Sequence, residues 1–174
     1  MKRGVLGCVV ALAIGCVVPA QAQEGELEST TLRLDRATFE ELGAATVTVV
    51  PLGSAEPTKA GFRFPVLRAT LAESAARIQN RGGIEFRSGA GAIKLKHFKV
   101  RFEALGAGGT LSARSAEGHV RVAKLQLTHV ADDDDQLIPV RAKAELAADG
   151  AKALTDALGL EIEKGLELGK LRFR

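Results

Sequence analysis

Three histidines, His97, His119 and His129, and the acidic run Asp132-Asp133-Asp134-Asp135 are the residues of this 174-residue chain best equipped for chemistry. An imidazole can ligate a metal or a haem iron, or move protons near neutral pH. His97 continues the alternation of Ile93 and Leu95, and His129 continues that of Leu125 and Leu127. Both are therefore expected to point inward at strand ends, where a cavity mouth would offer iron two axial donors. This makes His97 and His129 the candidate cofactor ligands, beside the plainer reading of hydrogen-bonded structural histidines. The aspartates are a weaker lead. Four in succession project in different directions and lack the alternating donors, glycine and distal glutamate of a calcium loop, so they read as a solvated turn and no metal site is expected.

Enzyme signatures are missing. The chain has no nucleophile elbow, no paired-histidine zinc helix and no glycine loop placed before a helix to cradle phosphate. No catalytic residue is assigned, and a hydrolase built from scattered Ser, His and Asp is the remote alternative. Both cysteines, Cys8 and Cys16, fall in the first twenty-two residues. The seven phenylalanines mostly follow alternating strand positions and are expected in the core. With no Trp or Tyr, a sugar-stacking surface is not expected.

The N-terminus carries Lys2 and Arg3, an apolar run from Val5 to Val18, and Ala20-Gln21-Ala22. That pattern reads as a secretory leader cleaved after Ala22, too short to span a bilayer. A lipoprotein-type cleavage at Ala13-Ile14-Gly15-Cys16 is the alternative. Removal of the leader takes two of the 24 basic residues and none of the 21 acidic ones, so the mature chain is close to net +1. Scattered charges of both signs give no footprint for nucleic acid, and the expected partner is a small molecule or an envelope component.

Residues 23 to 30 are polar and read as a flexible lead-in to a single domain over 31 to 174. Thr31 to Leu34 alternates as a strand; Arg36 to Leu42 reads as a short helix stopped by Gly43, and Thr46 to Val50 as a strand ended by Pro51. Phe62, Phe64 and Val66 form one apolar face, and Pro65 places that strand at an edge. Leu71 to Ile78 fits either a helical stripe or strand and turn. Gly82 to Arg87 and Ala92 to Glu103 form a hairpin around Ser88-Gly89-Ala90-Gly91. The inward phase slips by one residue near His97, and again between Val122 and Leu125, as β-bulges would require. Leu137 to Leu146 is a strand, Asp149 to Leu158 a helix ending at Gly159, and Leu166 to Phe173 the closing strand. The helix endings Leu42-Gly43 and Leu158-Gly159 suggest a weak internal repeat. The expected fold is mainly β: an antiparallel β-sandwich or half-barrel with two short α-helices.

From Phe62-Arg63-Phe64-Pro65 through Gly82-Gly83-Ile84-Glu85-Phe86, Gly91-Ala92-Ile93-Lys94-Leu95, Val122-Ala123-Lys124-Leu125 and the stretch Ala144 to Leu154, the order of features resembles the HtaA domain family of exported actinobacterial proteins associated with haem uptake. The resemblance covers roughly two thirds of the chain and implies a secreted, non-catalytic binding module, with haem as the possible cofactor. The tyrosine expected to ligate iron in that family has no counterpart in Thr31 to Leu42, and its histidine-bearing turn is Ser88-Gly89-Ala90-Gly91 here. Haem chemistry would therefore fall to His97 or His129.

Overall fold

The computed structural model describes residues 27–35, 47–59, 61–72, 75–104, 106, 108–133 and 136–174. The leader and the expected helix over Arg36–Leu42 lie outside the described residues. Eleven strands run in the order β1 (Ser29–Leu34), β2 (Thr48–Leu52), β3 (Glu56–Thr58), β4 (Gly61–Ala72), β5 (Ala75–Asn80), β6 (Gly83–Arg87), β7 (Ala92–Phe102), β8 (Gly109–Ser115), β9 (Gly118–Asp133), β10 (Gln136–Leu146) and β11 (Glu167–Phe173), with one helix, α1 (Ala148–Leu158), before the last.

The strands pair as β7-β5-β4-β1-β11-β10-β9-β8, and β8 pairs back to β7. Eight antiparallel strands thus close a barrel, and β6 with β2 extends from the first half of β7. The mainly β, antiparallel expectation holds, and the half-barrel goes on to close: β8 comes against β7, removing free edges that an open sheet would leave. Among the described residues there is one helix, and it is not long and apolar enough to cross a membrane.

Both slips are bulges. Across β7 the register to β8 shifts between Lys96 and Lys99. His97 takes the left-handed φ of 53° there, and its amide donates to the Gly82 carbonyl at 2.8 Å. On the facing side β5 and β6 meet at a kink where Gly82 has φ 78°. A Cβ on Gly82 would stand 2.5 Å from the Ala55 amide nitrogen, so only glycine fits. On β9 the slip leaves Val122 and Ala123 both buried, 2% and 0% exposed. The Val122 carbonyl turns out of the ladder and accepts from the Ala147 amide at 3.0 Å, which seats the start of α1. A Cβ on Gly150 would meet that carbonyl oxygen at 2.2 Å, so the helix lies directly on the bulge.

Helix α1 presents Ala151, Leu154 and Leu158 to the core at the expected helical spacing. Each buried leucine contributes roughly 1.5–3 kcal/mol. Gly159, at φ 66°, ends the helix, and the hydroxyl of Ser88 in the β6–β7 turn donates to the Leu158 carbonyl at 2.8 Å. The hairpin turn therefore caps the helix. Inside the barrel, Phe64 meets Phe98 edge-on at 5.1 Å and Phe102 meets Phe173 at 6.1 Å. The six described phenylalanines are all buried, as their alternation predicts.

Several expectations are corrected. Pro65 is not on an edge: β4 pairs β1 on one side and both β3 and β5 on the other. Val66 donates to Glu28 toward β1, so Pro65 faces the opposite side, where the β3 ladder ends at Arg63 and the β5 ladder begins at Val66. The missing N–H falls in that gap, and the Pro65 carbonyl still accepts from Arg81 at 2.9 Å. Pro51 lies within β2 opposite Ile84 rather than ending it. Leu71–Ala72 and Ala75–Ile78 are strand and not a helical stripe, with Leu71 facing Ala76, while residues 73 and 74 lie outside the described residues. Thr30 is buried in β1, not part of a flexible lead-in. Asp132 and Asp133 complete β9 opposite Leu137 and Gln136, while Asp134 and Asp135 lie outside the described residues.

Candidate ligand site

The strand period of two sends every second residue outward, and on β1, β4, β10 and β11 those residues include Arg33, Arg63, Arg141, Lys143, Lys170 and Arg172. Directly paired neighbours form a row across five adjacent strands: Arg63 on β4, Thr31 on β1, Arg172 on β11, Arg141 on β10 and His129 on β9. A second row joins Arg33, Lys170 and Lys143. Together with Thr58 and Lys59 beyond β3, and Thr128 on β9, most of these residues line an open groove of about 480 Å³ on the outer wall.

Arg33, Lys59, Arg63, Arg141, Lys170 and Arg172 are exposed, and no salt bridge among the described residues involves any of them. No carboxylate side chain lines the groove. Arg141 stands opposite Arg172, and Arg33 opposite Lys170. Like charges so placed destabilise a sheet. Lys96 opposite Arg114 on β7 and β8 is a like pair of the same kind, whereas two other basic clusters are matched. Lys143 pairs with Glu145 and Glu167, each at 3.2 Å, and these carboxylates raise its pKa above the ordinary lysine value. At the β6–β7 hairpin, Arg87 binds Glu85 at 2.7 Å and Lys94 lies 4.0 Å from it. The Arg87 hydrogen bond holds the Glu85 carboxyl below the usual range despite its burial.

The histidines do not converge. His97, His119 and His129 are all exposed, which corrects the inward orientation expected of His97 and His129. The reason is the same in both cases. His97 is itself the extra residue of its bulge, so its side chain leaves the phase that Ile93 and Leu95 set. Beyond Leu127 the β9–β10 register shifts twice, leaving Thr128 unpaired and turning His129 outward opposite Arg141. His97 adjoins Lys96, whose row contains Arg114 and His119, and His129 lies ten residues further along β9. About 30 Å of strand separates the two ends. His97 and His129 therefore lie on separate stretches of the outer wall, both exposed. His129 instead stands opposite Arg141 at the β9 end of the first row.

The groove is a site that reading the sequence by net charge overlooks. Its signal was the alternation Arg141-x-Lys143, Lys170-x-Arg172 and Thr31-x-Arg33, which puts cations on one face of adjacent strands while acids elsewhere balance the total.

No protein-family model and no curated protein matches the sequence. In structure the chain is similar to the C-terminal domain of HtaA from Corynebacterium glutamicum, with a TM-score of 0.67 over 87% of this chain and 97% of that domain, at 16% sequence identity. The two share a fold.

Proposed function

We propose that this chain is a non-catalytic binding module of the HtaA-like type that works outside the cytosol, in the cell envelope or secreted from it. The packing of the barrel carries the reading. Among the described residues thirty hydrophobic ones are buried, and side chains such as Phe64, Phe98, Phe102 and Phe173 pack between the strands. The groove and its cations lie on the outer wall of this barrel. The likeness to the HtaA domain and the leader-like Met1–Ala22 support placing it beyond the membrane. Fractionating cells that express the full chain tests this: a mature protein shortened by the leader should appear outside the cytosol, and removing Met1–Ala22 should retain it inside. Equal recovery in the cytosol with and without those residues would defeat the proposal.

Haem carriage is the second reading, favoured by the fold alone. Because His97 and His129 are far apart and exposed, it would rest on one of them as a surface ligand. Titration with hemin should then give a Soret band that either His97→Ala or His129→Ala abolishes, and a band that survives both changes removes this reading.

A further inference from the structure

The groove suggests a ligand class that the fold likeness does not. We propose that the outer wall of β4, β1, β11, β10 and β9 binds a linear, base-free chain of phosphate groups, such as a phosphodiester polymer of the envelope. This inference stands apart from the haem reading and from the site of export.

Neighbouring strands are spaced about 4.8 Å apart and alternate residues of one strand about 6.7 Å, so the cations form a two-dimensional lattice about 19 Å wide. Seven exposed cations, Arg174 included and none in a salt bridge among the described residues, exceed what one carboxylate or one phosphate would use. They suit a ligand with anions repeated along its length. Five of the seven are arginines, whose planar fork matches phosphate oxygens two at a time, and Thr31 and Thr128 add hydroxyl donors along the same groove.

The lining also discriminates against other anions. A single-stranded nucleic acid needs aromatic faces for its bases, and this chain has no Trp or Tyr, while its described phenylalanines are buried. An anionic membrane would be met by basic residues interspersed with exposed apolar anchors. Among the described residues the exposed large hydrophobic is Leu67, which does not line the groove; the apolar lining residues, Ala142 and Leu171, are buried. A porphyrin has two carboxylates, and the groove provides more cations than those two groups would use. Holding like charges opposite one another costs stability, and a bound polyanion removes that cost.

Long-chain inorganic polyphosphate and poly(glycerol phosphate) serve as probes, with binding followed by fluorescence anisotropy of the labelled protein in low salt. Binding should weaken log-linearly with salt, and the triple variant Arg63→Gln, Arg141→Gln, Arg172→Gln should bind at least about tenfold more weakly. The variant Lys94→Gln, Lys96→Gln, Lys99→Gln removes equal charge from β7 and should lose no more than about threefold. Should the first triple variant not fold by circular dichroism, Arg141→Gln and Arg172→Gln singly should each show part of the loss. Preference between the two polymers tells which source of phosphate the groove prefers, and either outcome supports the site. Equal weakening by the two triple variants, or no binding of either polymer, overturns the proposal. Tighter binding of oligo(dT) or of phosphatidylglycerol vesicles than of both base-free polymers also overturns it, assigning the wall to nucleic acid or to a membrane.

Discussion

Arg141 and Lys143 are two residues apart on β10 and share its outer face, yet their surroundings differ. Lys143 has a carboxylate on its own strand, Glu145, and another on β11, Glu167. Arg141 has Arg172 on one side and His129 on the other. The sheet can supply acids at this spacing, as it does one row away, so their absence from the groove is not forced by the fold. Matched charges there serve the barrel; unmatched charges work against it and make sense as part of a binding surface.

The largest effect tests whether the two rows stand on one rigid wall. Leu171 lies beneath the groove, 3% exposed and paired with Leu32 and Ala142. Leu171→Ala should cost about 2–5 kcal/mol in denaturant unfolding, through lost burial and the cavity left behind. Below its unfolding transition the variant should keep its polyphosphate affinity; a loss of affinity while still folded would show that the wall moves and that the two rows cannot be compared as fixed lattices.

A smaller effect of opposite sign is expected at the surface. Arg172→Gln relieves the pairing with Arg141 and should raise stability by roughly 0.2–1 kcal/mol at low ionic strength. Salt should erase the gain, because exposed charges are screened. A loss of stability instead would mean that Arg172 contributes packing and that the unmatched row carries no penalty.

The smallest effect belongs to the matched row. Glu145 and Glu167 raise the pKa of Lys143 in the folded state. A raised pKa contributes stability that is fully present below the unfolded value, near 10.4, and is lost as pH rises through the folded one. The difference in melting temperature between wild type and Lys143→Met should therefore be constant near neutral pH and shrink above about pH 10.4. A difference independent of pH across that range would show that Lys143 acts through its methylene stem and not through its charge.

Much of the barrel could be read from the order of apolar residues. The slip from Leu95 to Phe98 marked the His97 bulge, and the slip between Val122 and Leu125 marked the seat of α1, because a sheet can keep its apolar face inward past an extra residue only by bulging. The hairpin around Ser88 and the helix stop at Gly159 were legible for equally local reasons. Closure was not, since the pairing of β7 with β8 depends on accumulated curvature and not on any one residue. Pro65 misled because its tolerance depends on where two neighbouring ladders end and begin. The histidines were misplaced by carrying a strand's phase across a bulge. The groove was hidden by summing charge over the chain when the alternation had already sorted it by face.

The first and last strands of the fold lie side by side. The amides of Glu28 and Ser29 both donate to the Arg174 carbonyl, at 2.7 and 2.9 Å, and the Arg174 amide donates back to Ser29 at 3.0 Å. Since β1 and β11 run antiparallel, tension applied to the two ends would peel this seam like a zipper, one rung after another from Thr30 and Phe173, without shearing all rungs together. The Arg174 end of this seam also lies at the rim of the groove, because Arg174 is part of its lining.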